Sequence, residues 1–335
     1  IMSNADLDPT FINGGIINSF NSNAQLGKGE YLIAEADESD KSFLLLQPSV
    51  SVITNIEPDH LINYDHSFNN LKVAFLEFIK KLPFNGVSIV CGDDPVIKEL
   101  KKNFQRPHIS YGFNTSNDYV LSDFRSNGTQ SFFKLMSDSE SIDFTLNMLG
   151  KHNVLNAAAA AILCLEEGIS VEIIQDSLRK FEGIDRRMQI LGERQVNNNH
   201  CVYIDDYGHH PTEIEKTIEA IRDSYSGYKI NMVFQPHRFT RTHDLFDEFV
   251  DVLGAVDHLL LLEIYSAGEK SIEGINSSNI KKSLVNSGFN DVKLLVNNES
   301  VIKEIGQSIN SDTVFIFQGA GNIASISNAI KNEIS

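Results

Sequence analysis

Several short stretches gather side chains able to hold phosphates, carboxylates or cations. In "YLIAEADESD", residues 31–40, an apolar run ends in Glu35, Asp37, Glu38 and Asp40. Ligands of open α/β sheets bind beyond the carboxyl ends of strands, and Mg²⁺ prefers hard oxygens, so this crowd of acids reads as a divalent-cation site. It also reads as a solvated acidic turn, or, through Asp37, Ser39 and Asp40, as the cap of a following helix. "VSVITNIEPDH" repeats the pattern: Asn55, Glu57, Asp59 and His60 follow an apolar strand. His60 beside Pro58 could be an ordinary loop histidine, but a neighbouring strand that ends in acids favours metal binding.

Further along, "VYIDDYGHHPTEI" places Asp205, Asp206, Tyr207, His209 and His210 at a strand exit, with Pro211 suited to the first turn of a helix. Adjacent histidines do not share a helix face, which argues against His209 and His210 chelating one ion. Asp205 and His210 can equally cap and pack the helix start. "QPHRFTRTHD" supplies His237, Arg238 and Arg241, a basic group in an acidic chain. Two arginines three apart can grip a carboxylate or phosphate bidentately. "FIFQGAGNIA" holds Gly319, Gly321 and Ala324 in the G-x-G-x-x-A spacing of dinucleotide-binding turns, which raises an NAD-dependent oxidoreductase as the rival function. That fingerprint needs an acid about 20 residues on, and glycines that merely permit a tight strand-to-helix turn explain the spacing as well.

These groups need a framework. The chain has 335 residues, 41% of them hydrophobic, with 45 acids against 28 bases and a net charge of −17. That suits a globular protein of two domains and disfavours nucleic acid or an anionic membrane as partner. No apolar run approaches a membrane span, and no signal peptide opens the chain, so a cytoplasmic location is expected. Cys91, Cys164 and Cys201 lie far apart in apolar contexts, which predicts reduced, buried thiols. The opening "IMSNADLDPTFINGG" begins mid-phrase and suggests a fragment.

Apolar β-rich runs alternate with helical patterns through residue 100, which predicts a parallel sheet with helices packed on it. Residues 107–147 break into short strands separated by "NTSND", "RSNG" and "SDSES", predicting a small antiparallel insert before the helix in "HNVLNAAAAAILCLEEG". From residue 185, strands near 201–205, 230–235, 258–262, 292–296 and 313–317 alternate with helices, predicting a Rossmann-like second domain. The expected fold is therefore α/β, with domains at 1–184 and 185–335.

Seven segments, "AEADESD", "TNIEPDH", "GKHNVLNAAAA", "DRRMQILGE", "DDYGHHPTE", "QPHRFTRT" and "QGAGNI", occur in this order along essentially the whole chain. In that register the chain resembles the Mur ligase family. The resemblance implies a central ATPase domain, truncated at its start, followed by a C-terminal amino-acid-binding domain. No G-x-x-x-x-G-K-[ST] phosphate loop occurs, so the fragment alone is expected to be inactive. The reaction implied is the ATP-dependent joining of L-alanine to UDP-N-acetylmuramate through an acyl phosphate. The family's recycling ligase for murein tripeptide is the alternative, though it is not expected to carry "QPHRFTRT".

The resemblance also implies roles. Glu35 would bind the Mg²⁺ shared with the ATP phosphates, and His60 a second ion. His152, Asn153 and Asn156 would contact adenine. Arg187, within a hinge at residues 181–187, and Asp206 would contact ATP and its ribose, while His209 would approach the γ-phosphate. Tyr207, His237, Arg238 and Arg241 would hold the amino acid or its carboxylate, with His209, His60 and Arg241 as catalytic groups. Phe75 stands where several relatives carry a carbamylated lysine, with Lys72 one turn earlier, so no carbamate is expected. Monomer and dimer both remain open.

Overall fold

The computed structural model describes residues 1–59, 61–138, 140–295 and 298–334. The chain divides into two compact units, Ile1–Arg125 with Gln130–Glu182, and Gly183–Ser335 with the short segment Ser126–Thr129. Both are α/β with mostly parallel sheets.

The first unit opens with β1 (Thr10–Ile17), β2 (Ser22–Gln25) and β3 (Leu32–Ala34), which form a three-stranded sheet of order β2-β1-β3. β3 runs parallel to β1, with Phe11 opposite Ile33. Next come β4 (Val50–Ile53), α1 (Phe68–Lys80), β5 (Val87–Cys91), α2 (Pro95–Leu100) and β6 (His108–Gly112). The run β7 (Tyr119–Asn127), β8 (Gln130–Met136) and β9 (Ser141–Leu146) leads into α3 (Lys151–Glu166) and α4 (Val171–Arg179).

Strands β4 to β9 make one six-stranded sheet in chain order, parallel from β4 to β7 and antiparallel between β8 and β9. The expected antiparallel pairing is therefore present, but its strands extend the same sheet that begins parallel rather than forming a separate insert. A second difference concerns "YLIAEA" and "VSVITN", expected as neighbouring strands: β3 pairs in the small sheet and β4 is an edge strand of the large one. Periodicity identifies a strand but not its partner. β1 itself is unsignalled in the sequence, because Gly14 and Gly15 interrupt its apolar pattern.

Local chemistry explains the helices. Ser67 caps α1 by accepting the Asn70 N–H, and the buried Leu71, Ala74 and Phe78 recur at helical spacing. Asp94 caps α2, with Pro95 in its first turn. In α3 the small Ala157, Ala158, Ala159 and Ala161 are buried, which lets the helix lie close on the sheet. The three cysteines are buried and free, and burial pushes the Cys164 thiol up to about 11.

The second unit holds β10 (Gln189–Val196), β11 (Asn199–Asp206), α5 (Pro211–Ser224), β12 (Lys229–Phe234), α6 (Phe239–Asp244), α7 (Phe246–Leu253) and β13 (His258–Leu261). It ends with α8 (Ser277–Asn286), β14 (Val292–Leu294), α9 (Asn298–Gln307), β15 (Thr313–Gln318) and α10 (Ala324–Ile334). The expected strand end at Val296 lies outside the described residues. The sheet order is β10-β11-β15-β12-β13-β14, parallel throughout except for the β10–β11 hairpin. All six residues of β15 are buried, as are the last five of β12, which is why these strands read as continuous apolar runs. Among the described residues, no helix is long and apolar enough to cross a membrane.

Candidate active site

In the first unit Glu35 follows β3 directly and is exposed. Its Oε2 accepts the Gly14 N–H at 2.5 Å, and a Cβ at Gly14 would stand only 3.0 Å from that oxygen. One carboxylate, anchored by the backbone yet open to solvent, suits Mg²⁺, which is commonly held by one or two carboxylates together with substrate phosphates. Asp37 and Asp40 instead accept the Ser39 and Ser42 N–H groups, each at 2.8 Å, so the turn-and-cap reading describes them. Glu57, beyond β4, accepts from the Asn55 amide at 3.2 Å. His60 lies outside the described residues, and among those described no group of three His, Cys, Asp or Glu is gathered to hold a metal.

His152 and Asn156 sit one turn apart near the start of α3, half-buried and exposed respectively. The Asn153 amide donates to the Leu149 carbonyl at 2.7 Å and so ties down the helix start. The Phe75 ring packs on Phe43 with centroids 5.3 Å apart, while Lys72 pairs with Glu99 at 2.8 Å.

The richer cluster is in the second unit, at the carboxyl ends of β11, β12, β13 and β15. Beyond β11, Tyr207 lies under two guanidinium groups, those of Arg186 and Arg187, at 5.2 and 5.3 Å from its ring centroid. The Tyr207 N–H donates to the Arg186 carbonyl at 2.6 Å, which holds loop and ring together. His210 caps α5: its Nδ1 accepts the Thr212 N–H, while Glu213 reaches back to the His209 and His210 N–H groups at 2.8 and 3.0 Å. Asp205 pairs with Arg186 at 3.3 Å and accepts from Ser327 at 2.7 Å, yet burial still pushes its carboxyl above the usual range. The capping-and-packing reading therefore holds for Asp205 and His210.

Asp206, expected to meet a ribose, is turned inward. Its carboxylate accepts from Met188 N at 2.9 Å, Gly208 N at 2.9 Å, Gln318 Nε2 at 2.7 Å and Thr217 Oγ1 at 3.3 Å. At 6% exposure it joins β11, β15, α5 and the preceding turn, with little surface to offer a nucleotide.

His209 and His237 face each other with ring centroids 5.6 Å apart. Burial pushes both imidazoles below their ordinary value, and the positive Arg241 acts in the same direction on each. His237 falls to about 4, with His209 and Arg238 adding to the effect. Its Nδ1 is buried without a partner, so an imidazolium would bury an unanswered N–H. Both rings are therefore neutral at pH 7. Glu213 moves the other way: burial alone would raise its carboxyl, but His209, the two backbone N–H bonds and Arg187 hold it below the usual range.

The positive charge of the cluster rests on arginine. Among the described residues Arg241, half-buried on α6, has no ion-pair partner. Arg238 caps the start of α6 with a positive φ of 73°, its side chain 53% exposed and its guanidinium 4.0 Å from Glu269. Glu269 is itself engaged by the Thr240 N–H and hydroxyl at 3.0 and 2.8 Å.

Sequence reasoning missed Arg186, Glu213, Gln235, Gln318 and Tyr265. Tyr265 was findable, because "EIYSAGE" follows β13 just as the other motifs follow their strands. Gln235 explains the glycines. Its Oε1 accepts the Ile323 N–H at 3.1 Å, and a Cβ at Gly321 would stand 2.4 Å from that oxygen. At Gly319, φ is 140° and a Cβ would meet the Gln235 carbonyl at 2.6 Å. The Gly319 N–H is likewise taken, by the Asp206 carbonyl at 3.0 Å. With the Gly319 and Ile323 amides already bonded within the chain, the turn has fewer N–H groups to offer a pyrophosphate, and the close approach of Gln235 accounts for the glycines without a dinucleotide.

Residues 16–164 match the Mur ligase middle domain, and residues 186–321 match the Mur ligase glutamate ligase domain. Among solved structures, the chain is similar to UDP-N-acetylmuramate-alanine ligase MurC from Thermotoga maritima, at 25% identity and a TM-score of 0.80, over 99% of this chain and 70% of that one. It is also similar in fold to murein peptide ligase Mpl from Psychrobacter arcticus, at 21% identity and a TM-score of 0.66, over 99% and 73% of the two chains. MurF from Thermotoga maritima, solved in complex with ADP, aligns at 17% identity and a TM-score of 0.74 over 99% and 75%. Together the two domain matches take in most of the chain, which belongs to the Mur ligase family.

Proposed function

We propose that the protein is an ATP-dependent carbon–nitrogen ligase that joins L-alanine to UDP-N-acetylmuramate in peptidoglycan precursor synthesis. The carrying observation is Arg241, without an ion-pair partner among the described residues, set with Arg238 beside two neutral imidazoles at the carboxyl edge of a parallel sheet. In an acidic chain such a guanidinium pair suits one end of a small zwitterion, the carboxylate. The likeness to MurC at 25% identity supports L-alanine over the substrates of the other relatives.

In this reading ATP phosphorylates the lactyl carboxylate, and ADP leaves. The alanine amine attacks the acyl carbon and loses a proton, and inorganic phosphate departs as the amide forms. Tyr207, His237, Arg238 and Arg241 hold the amino acid by its carboxylate. The Nδ1–H of His209 donates to the Tyr207 carbonyl at 3.1 Å, so its Nε2 can act as a hydrogen-bond donor to the γ-phosphate only when the ring takes up a proton beside that anion. Arg187 contacts ATP, and His152, Asn153 and Asn156 lie against adenine. Glu35 would hold Mg²⁺, with His60 at a second ion, and the metal when bound neutralises phosphate charge. Asp206 acts through the loop that it braces.

The test is Arg241→Ala in the full-length protein, measured by phosphate release with UDP-N-acetylmuramate, ATP and L-alanine. Loss of a bidentate carboxylate contact should lower kcat/KM for L-alanine by about 10²–10³-fold, through KM, with nucleotide affinity unchanged. Unchanged L-alanine use would refute the assignment. Turnover with murein tripeptide and none with L-alanine would favour the recycling ligase.

A further inference from the structure

We infer that Tyr265 is the wall that sets which amino-acid side chain fits beside Arg238 and Arg241, an inference that rests on the amino-acid reading of that cluster. Tyr265 follows β13 and is bonded to the arginine loop on both sides. Its N–H donates to the Pro236 carbonyl and its carbonyl accepts the Arg238 N–H, each at 2.8 Å. Its ring stacks on His237, with centroids 5.5 Å apart and planes 13° from parallel. At the base of the ring, a Cβ on Gly321 would come within 2.9 Å of the Tyr265 Cβ and Cγ, so only glycine lets the tyrosine settle there.

A side chain so seated has little freedom, yet the residue is 39% exposed. An aromatic surface immobilised from two sides, and left partly uncovered on the loop that leads into Arg238 and Arg241, is suited to bounding a small ligand. The geometry of an α-amino acid does the rest. Its side chain branches one bond from the carboxylate carbon, so a carboxylate held at Arg241, whose charge acts on His237, would bring that side chain toward His237 and the ring stacked on it. A fixed ring there admits a methyl group and rejects larger branches.

The experiment measures kcat and KM of the full-length enzyme with glycine, L-alanine, L-serine, L-valine and L-leucine, for wild type, Tyr265→Ala and Tyr265→Phe. The alanine variant should raise the L-valine to L-alanine ratio of kcat/KM by about tenfold or more, the range expected for methylene-scale discrimination in a pocket. KM for ATP should stay at the wild-type value. The phenylalanine variant, which keeps the ring, should keep the wild-type profile. A folded Tyr265→Ala enzyme with an unaltered ratio would overturn the proposal, as would a phenylalanine variant that behaves like alanine. If the wild type accepts only a peptide amine, the L-alanine assignment fails alone. The same variants then test the wall with the peptide's first residue varied, where an unaltered ratio overturns it and a shift of about tenfold sustains it.

Discussion

At the scale of single residues, the cluster separates charge from hydrogen bonding. Arg238 and Arg241 carry the positive charge, while burial and Arg241 keep His209 and His237 neutral, with Arg187 adding at His209 and Arg238 at His237. Because Nδ1 of His237 is buried without an acceptor, the neutral ring carries its hydrogen on Nε2 and serves as a donor. A stability prediction follows from the depressed value. Between the ordinary pKa of 6.5 and about 4, the unfolded chain takes up a proton that the folded His237 refuses. Stability is therefore full above pH 6.5, falls as pH drops through that window, and levels off below it. The variant His237→Asn should lose less stability than wild type between pH 7 and pH 4, as read from urea midpoints. Equal slopes in the two proteins would show that the ring titrates normally.

At the scale of elements, the loop after β11 depends on one buried carboxylate. Asp206 answers donors from the turn at Met188, from Gly208, from Thr217 on α5 and from Gln318 on β15. Replacing it by alanine leaves several buried donors unanswered, each worth about 1–3 kcal/mol and not additive, so Asp206→Ala should cost roughly 3–4 kcal/mol in denaturant unfolding. Any weakening of ATP binding should come only together with that loss of stability, since Asp206 acts through the loop that it braces. A normal stability with weakened ATP binding would return Asp206 to the ribose role. The resemblance to the family pointed at the right residue, but a donor count around its oxygens can only be made in three dimensions.

At the scale of the whole molecule, the two units have separate hydrophobic cores, one running from Met2 to Leu178 and another drawn from residues 201–330. Phe315, fully buried in the second and stacked on Tyr203 at 5.2 Å, is a clean probe of that core. Phe315→Ala should destabilise its unit by about 3–5 kcal/mol and move one of two calorimetric transitions, leaving the other in place. A single transition that shifts as a whole would mean that the units unfold together.

What could be read in advance follows from how local each signal is. Strand and helix order, the capping of α5 by His210 and Pro211, and the gathering of polar groups at strand ends are all written within a few neighbouring residues. Alternation and helical spacing exposed them, and the family's motifs supplied their roles. Pairing was not legible: nothing in "YLIAEA" says that it joins β1 rather than β4, because a parallel ladder accepts any apolar edge of matching length. Nor was the stacking of Tyr265 on His237, which joins residues 28 positions apart along the chain. The sequence by itself determined the α/β class, the elements and which chemistry-bearing residues sit at strand ends. Tertiary structure alone decided that Asp206 turns inward, that Gln235 fills the Gly319 turn and that two histidines stay neutral, because burial and long-range hydrogen bonds exist only once distant strands lie side by side.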